Sequence, residues 1–103
     1  MDRIVVLIDD DEGNRAVITD VLNDAGFDVH AYADSRDATG ERAGVALVVL
    51  DGGQPLRDVD APIVMVSAAA DIAEQAQRVG ARGWLRKPFA IDDLIDMVRG
   101  NAA

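Results

Sequence analysis

The sequence predicts a single α/β domain built on a parallel sheet. Three observations lead there: short apolar runs that stop at an acidic or polar residue recur along the chain, helical apolar stripes alternate with them, and glycines stand where those stripes end. At 103 residues, 50% of them hydrophobic, the chain can fill one core and has no room for two. A domain this short buries a smaller share of its surface than a larger one, so any missing element should have consequences.

Ile4-Val5-Val6-Leu7-Ile8 is β-branched, continuous and stopped by Asp9-Asp10-Asp11, which predicts a strand buried on both faces. From about Asn14, the residues Val17, Ile18, Val21, Leu22 and Ala25 recur at helical spacing, and Gly26 follows as a terminator. Residues 27–32 predict a second, more amphipathic strand. Residues 33–44 carry at best a weak helix, because Thr39 and Gly40 interrupt a stretch with almost no apolar stripe. The apolar-run signature returns at residues 45–50, ending at Asp51, and at residues 63–66, ending at Ser67. A helix over 70–79 places Ile72, Ala73, Ala76 and Val79 on one stripe before Gly80. A short strand over 82–85 is closed by Arg86-Lys87-Pro88-Phe89. The last helix aligns Ile91, Leu94, Ile95 and Val98, with Asp92 and Asp93 in its first turn and Arg99 in its last, each favourable to the helix dipole.

One connection is unusually short. Twelve residues, Asp51 to Pro62, separate the third strand from the fourth, and they include Gly52, Gly53, Pro55 and Pro62. Twelve extended residues reach about 40 Å, enough to run back along a strand of about 20 Å. A helix of ordinary length does not fit as well, so the crossover reads as a loop.

Composition narrows the chemistry. With no Cys there is neither a disulfide framework nor a thiolate zinc site, and one histidine, His30, reads as a surface residue rather than a ligand. A formal charge of −9 disfavours direct nucleic-acid binding, and no apolar run is long enough to span a membrane, so a cytoplasmic domain is expected. Sixteen Asp stand against three Glu, and nine Arg against one Lys, a bias that fits a GC-rich genome or salt adaptation and isolates Lys87.

In a parallel α/β sheet, ligands gather beyond the C-terminal strand ends. The polar residues there are Asp9, Asp10 and Asp11 after the first strand, Asp51 after the third, Ser67 after the fourth and Lys87 after the fifth. Carboxylates in such proximity repel unless a hard cation sits among them, and oxygen donors suit magnesium. A lysine and a hydroxyl beside them supply what a phosphoryl group requires: a point charge and a hydrogen-bond donor. Asp11 and Glu12 read as solvated residues near a helix start, without a role.

On Ile8-Asp9-Asp10-Asp11, Leu50-Asp51 with Pro55 four residues on, Val66-Ser67-Ala68 and Lys87-Pro88-Phe89, in order at successive strand ends, the chain resembles the receiver domains of two-component response regulators. The resemblance spans residues 4–98. It implies a flavodoxin-like, doubly wound sheet of five parallel strands in the order 2-1-3-4-5. It implies that Asp51 is the phosphoacceptor, with Mg²⁺ held directly by Asp10, through water by Asp9, and by Asp51 and the main-chain carbonyl of Gly53. Lys87, Ser67 and the amides of Gly52 and Ala68 are then the phosphoryl-binding groups, and Lys87-Pro88 is expected to be cis. Ser67 and Trp84 occupy the family's switch positions; the Trp84 ring could equally be a core or an exposed residue. Implied partners are a sensor histidine kinase or a histidine phosphotransfer protein, and a downstream protein. No enzyme activity is implied beyond self-catalysed phosphotransfer and autodephosphorylation.

The chain departs from that family where its third helix would stand. Loss of that helix, with a short second one, predicts that Val and Leu side chains of the third and fourth strands lie partly bare and that self-association or a partner covers them; the competing outcome is that the loop, through Leu56 and Val59, folds over the face. A second reading follows: a receiver-like docking or dimerisation module that phosphorylation does not regulate. A flavodoxin-like cofactor binder is disfavoured, since no Gly-rich phosphate loop follows the first strand.

Overall fold

The computed structural model describes residues 3–38, 40, 44–51 and 60–102. Along the chain run β1 (Arg3–Ile8), α1 (Glu12–Asp24), β2 (Phe27–Tyr32), a 3₁₀ turn (Ser35–Ala38), β3 (Val45–Leu50), β4 (Ile63–Ser67), α2 (Ile72–Val79), β5 (Gly83–Arg86) and α3 (Ile91–Asn101). The strands form one parallel sheet in the order β2-β1-β3-β4-β5, as the resemblance implies. Among the described residues, no helix is long and apolar enough to cross a membrane.

Because side chains alternate across a strand, each central strand feeds two cores. Val5 and Leu7 of β1, Leu47 and Val49 of β3, and Val64 and Val66 of β4 pack on one face against Ile18 and Leu22 of α1 and Leu94 and Val98 of α3. On the other face, Val6, Ile8, Val48, Leu50 and Met65 pack with Ala38 of the 3₁₀ turn and Ile72 and Ala76 of α2. Gly26 and Gly80, at φ +98° and +73°, end α1 and α2 in the left-handed region that glycine adopts without strain.

Three expectations need correction. The weak helix over 33–44 is, in the described residues, a single 3₁₀ turn. The Asp34 carboxylate accepts bonds from the Arg36 amide (2.8 Å) and guanidinium (3.0 and 3.1 Å), a local alternative to helical pairing that no apolar stripe opposes. Second, α1 begins at Glu12 rather than near Asn14, because Asp11 caps it: its Oδ1 accepts from the Asn14 amide at 2.9 Å.

Third, the sheet face opposite α1 and α3 is not bare. Val45, Val48, Leu50 and Met65 are buried there, with Ala61, Ile63, Val79 and Ala81 partly buried around them. The large hydrophobic residues exposed among the described residues, Val17, Trp84 and Ile91, lie outside this cluster. Of the crossover from Asp51 to Pro62 read as free of a helix, residues 52–59, Gly52 and Gly53 among them, lie outside the described residues.

Candidate functional site

The strand ends bring the acidic residues together. β1 and β3 are neighbours, so Asp9 and Asp10, leaving β1, face Asp51, leaving β3, and the Asp51 amide donates to the Ile8 carbonyl at 2.9 Å. One carboxylate oxygen from each of Asp9, Asp10 and Asp51 lies within 4.8 Å of the others. Among the described residues this is the only such group of three potential metal ligands. His30 is not part of it; its Nε2 lies 3.3 Å from the Asp28 carboxylate on β2.

Lys87 enters from the end of β5. Its Nζ lies 3.2 Å from Asp51 Oδ2 and 3.5 Å from Asp9 Oδ2, and only 19% of its side chain is exposed. The Lys87-Pro88 bond is cis. The lysine amide donates to the Ser67 carbonyl at 2.9 Å, which ties the end of β5 to the end of β4. Ser67 is itself buried, and its Oγ accepts from the Ala69 amide at 3.1 Å.

Asp9 is wholly buried and held at three atoms. Its Oδ1 accepts from the Asp11 amide (2.9 Å), its Oδ2 faces Lys87, and its main-chain oxygen accepts from Arg15 Nη1 (2.8 Å). Asp51 is less enclosed, with 15% of its side chain exposed. Burial, together with the Asp9 carboxylate beside it, pushes the Asp51 carboxyl up to about 6 against the opposing pull of Lys87. Three clustered carboxylates, two of them facing the Lys87 ammonium, leave excess negative charge at the site. A divalent cation bound by oxygen would balance it, so the residues fit magnesium.

The structure therefore joins Asp9, Asp10, Asp51 and Lys87, and places Ser67 beside Lys87 through the main chain. Ala68 is exposed at the same edge. Trp84 is 42% exposed, with the Arg86 guanidinium 5.7 Å from its ring centre, so it is the exposed rather than the core alternative. Two residues with no role in the sequence reading emerge here, Asp11 and Arg15. Asp11 is an N-cap residue type, but it stands six residues before Val17, where the apolar stripe begins, so the stripe does not mark it. Nothing in the spacing signals that Arg15, one turn further on, reaches back to a carbonyl.

The model of the response regulator receiver domain family matches residues 5–99. The chain belongs to that family. Among curated relatives, this receiver is 32% identical to the C4-dicarboxylate transport transcriptional regulatory protein DctD of Pseudomonas aeruginosa, over 92% of this chain and 24% of that protein. It is 30% identical to the transcriptional regulatory protein PdtaR of Mycobacterium tuberculosis, over 93% of this chain and 55% of that one. The receiver thus spans about a quarter to a half of the length of these relatives. The DctD match extends over 111 positions against 103 residues here, so the relative carries residues that this chain lacks. Among solved structures, the chemotaxis protein CheY4 of Vibrio cholerae superposes with a TM-score of 0.82 at 24% identity, covering 98% of this chain and 99% of that one, a likeness of fold.

Proposed function

We propose that this receiver takes a phosphoryl group from the histidine of a sensor kinase or a histidine phosphotransfer protein onto Asp51, with Mg²⁺ held by Asp9, Asp10 and Asp51. The observation that carries the reading is the convergence of three carboxylates within 4.8 Å, with the Lys87 ammonium 3.2 Å from Asp51. The main-chain carbonyl of Gly53 would complete the protein's ligands.

A carboxyl held at about 6 is ionised at neutral pH, so Asp51 is a competent nucleophile. Its oxygen attacks phosphorus; the O–P bond forms as the donor's N–P bond breaks, and that bond's electron pair returns to the imidazole. Bound magnesium supplies charge neutralisation to the transferring group. Lys87, already facing Asp51, supplies the second positive charge. Ser67 Oγ accepts from Ala69, which leaves its own O–H to donate to a phosphoryl oxygen, and the amides of Ala68 and Gly52 serve the same group. The chemistry is limited to this transfer and its hydrolysis. An apolar groove of about 420 Å³ opens beside Lys87, lined by Val17, Ile18, Pro88, Phe89 and Ile91. It offers the phosphodonor a docking surface next to the acceptor.

The response runs through the β4–α2 connection. A phosphoryl group that draws in Ser67 also pulls on Ala69. The adjacent Ala70 carbonyl accepts from Arg86 (3.1 Å), whose guanidinium lies over Trp84. Ser67 and Trp84 are thus the proposed switch pair, read by a downstream protein.

Incubation with phosphoramidate and Mg²⁺, followed by intact mass, tests the reading. One phosphoryl group is expected on the wild type and none on Asp51→Asn. A gain that persists in Asp51→Asn removes Asp51 as acceptor. A folded wild type that gains nothing favours the unregulated docking module.

A further inference from the structure

The three carboxylates of the site are not held equally. Asp9 is fixed at its side chain by the Asp11 amide and Lys87, and Asp51 is fixed by Lys87. Asp10 is exposed, and among the described residues its carboxylate has no hydrogen-bond or ion-pair partner. Its place within 4.8 Å of the other two is therefore set by its backbone, through the peptide that joins it to Asp9. The oxygen of that peptide accepts from Arg15 Nη1 at 2.8 Å. Arg15 sits one turn into α1, and its own amide donates to the Asp11 carbonyl at 2.9 Å, so the guanidinium is carried on the same turn that Asp11 caps.

We infer that Arg15 is a positioning residue for the metal site: by gripping the Asp9 carbonyl, it fixes the Asp9-Asp10 peptide and so presents the Asp10 carboxylate to the cation. The inference rests on the proposed magnesium site. It has a distinctive sign. A guanidinium that acted only as a nearby positive charge would repel a cation, and its removal would tighten binding. A guanidinium that orders a ligand strengthens binding, and its removal weakens it, as loss of groups that orient metal ligands commonly does.

The test uses Mn²⁺, an oxygen-preferring surrogate, and counts free ion by its electron paramagnetic resonance signal in wild type, Arg15→Met, Arg15→Lys and Asp10→Asn. Arg15→Met keeps the aliphatic stem and its packing, while Arg15→Lys keeps the charge and one donor. Mn²⁺ affinity should fall roughly tenfold in Arg15→Met, with Arg15→Lys between it and the wild type. A defect confined to positioning should also yield to saturating Mg²⁺: the phosphorylation rate of Arg15→Met then returns to near the wild-type value. Should Arg15→Met prove unstable, a loss of affinity in the folded Arg15→Lys carries the test. Unchanged or tighter binding in the Arg15 variants, alongside a loss in Asp10→Asn, overturns the positioning role and spares the metal site. Unchanged binding in Asp10→Asn as well overturns the metal site, and the inference with it.

Discussion

The two faces of the sheet are covered differently. One carries α1 and α3, helices of 13 and 11 residues whose leucines, isoleucine and valine pack onto the strands. The other carries, among the described residues, an eight-residue helix and a four-residue 3₁₀ turn that contribute Ala38, Ile72 and Ala76. Both faces are nevertheless buried. The division also sorts function. The Asp11 amide and Arg15, which hold Asp9, belong to the start of α1, and the turn after Lys87 leads into α3. Ser67, α2 and Trp84, the proposed response elements, pair with the lightly covered face or its edge.

The sharpest way to break this comparison is to strike the chemical half alone. Lys87→Arg and Lys87→Ala should each slow phosphorylation by phosphoramidate by two to three orders of magnitude, about what loss of one preorganised charge donor costs, since a planar fork does not replace a compact ammonium. Thermal melting should change little. A Lys87→Arg variant phosphorylated at the wild-type rate would mean that Lys87 does not contact the reacting group.

Next in size is the contrast between the cores. Leu22→Ala, under α1, should cost about 3 kcal/mol. Ile72→Ala, under the shorter α2, should cost about 2 kcal/mol, because a short helix can settle into the gap. Urea denaturation measures both, and a larger loss for Ile72→Ala would reverse the ranking of the two faces. Asp10→Asn should raise the Mg²⁺ concentration needed for half-maximal phosphorylation roughly tenfold; identical Mg²⁺ curves would remove Asp10 from the site.

What the sequence disclosed follows the same division. The strands and the three helices were legible, because apolar runs ending at Asp9, Asp51 and Ser67, stripes ending before Gly26 and Gly80, and the stripe from Ile91 to Val98 are set by local pattern. The four motif positions at strand ends fall where the parallel topology gathers them. The 3₁₀ turn was not legible, since it depends on the bond from Asp34 to Arg36. Nor was the covered second face, whose Val48, Leu50 and Met65 are buried. Arg15 was hidden for a further reason: its partner is a main-chain carbonyl, which no residue type advertises.

The smallest expected effect is a pH dependence. A carboxyl raised to about 6 holds its proton more tightly folded than unfolded. Its contribution to metal-free stability is therefore present in full below about pH 4 and is lost as pH rises through about 6. The loss should be about 1 kcal/mol once solvent screening of this partly open carboxyl is allowed for. It is read as the difference between wild type and Asp51→Asn in urea melts from pH 4 to 7. A difference that does not vary with pH would mean that Asp51 is not strained by its neighbours.

Phosphorylation at the strand ends is expected to reach α2 and Trp84 on the lightly covered face, and an amide NMR map recorded before and after phosphoramidate and Mg²⁺ are added together checks it. Shifts are expected at Asp9 to Asp11, along Ser67 to Ile72 and at Trp84, while Ile18 and Leu22 in the helix-rich core stay in place. Shifts that stop at Asp51 and its chain neighbours, with α2 and Trp84 unmoved, would contradict it.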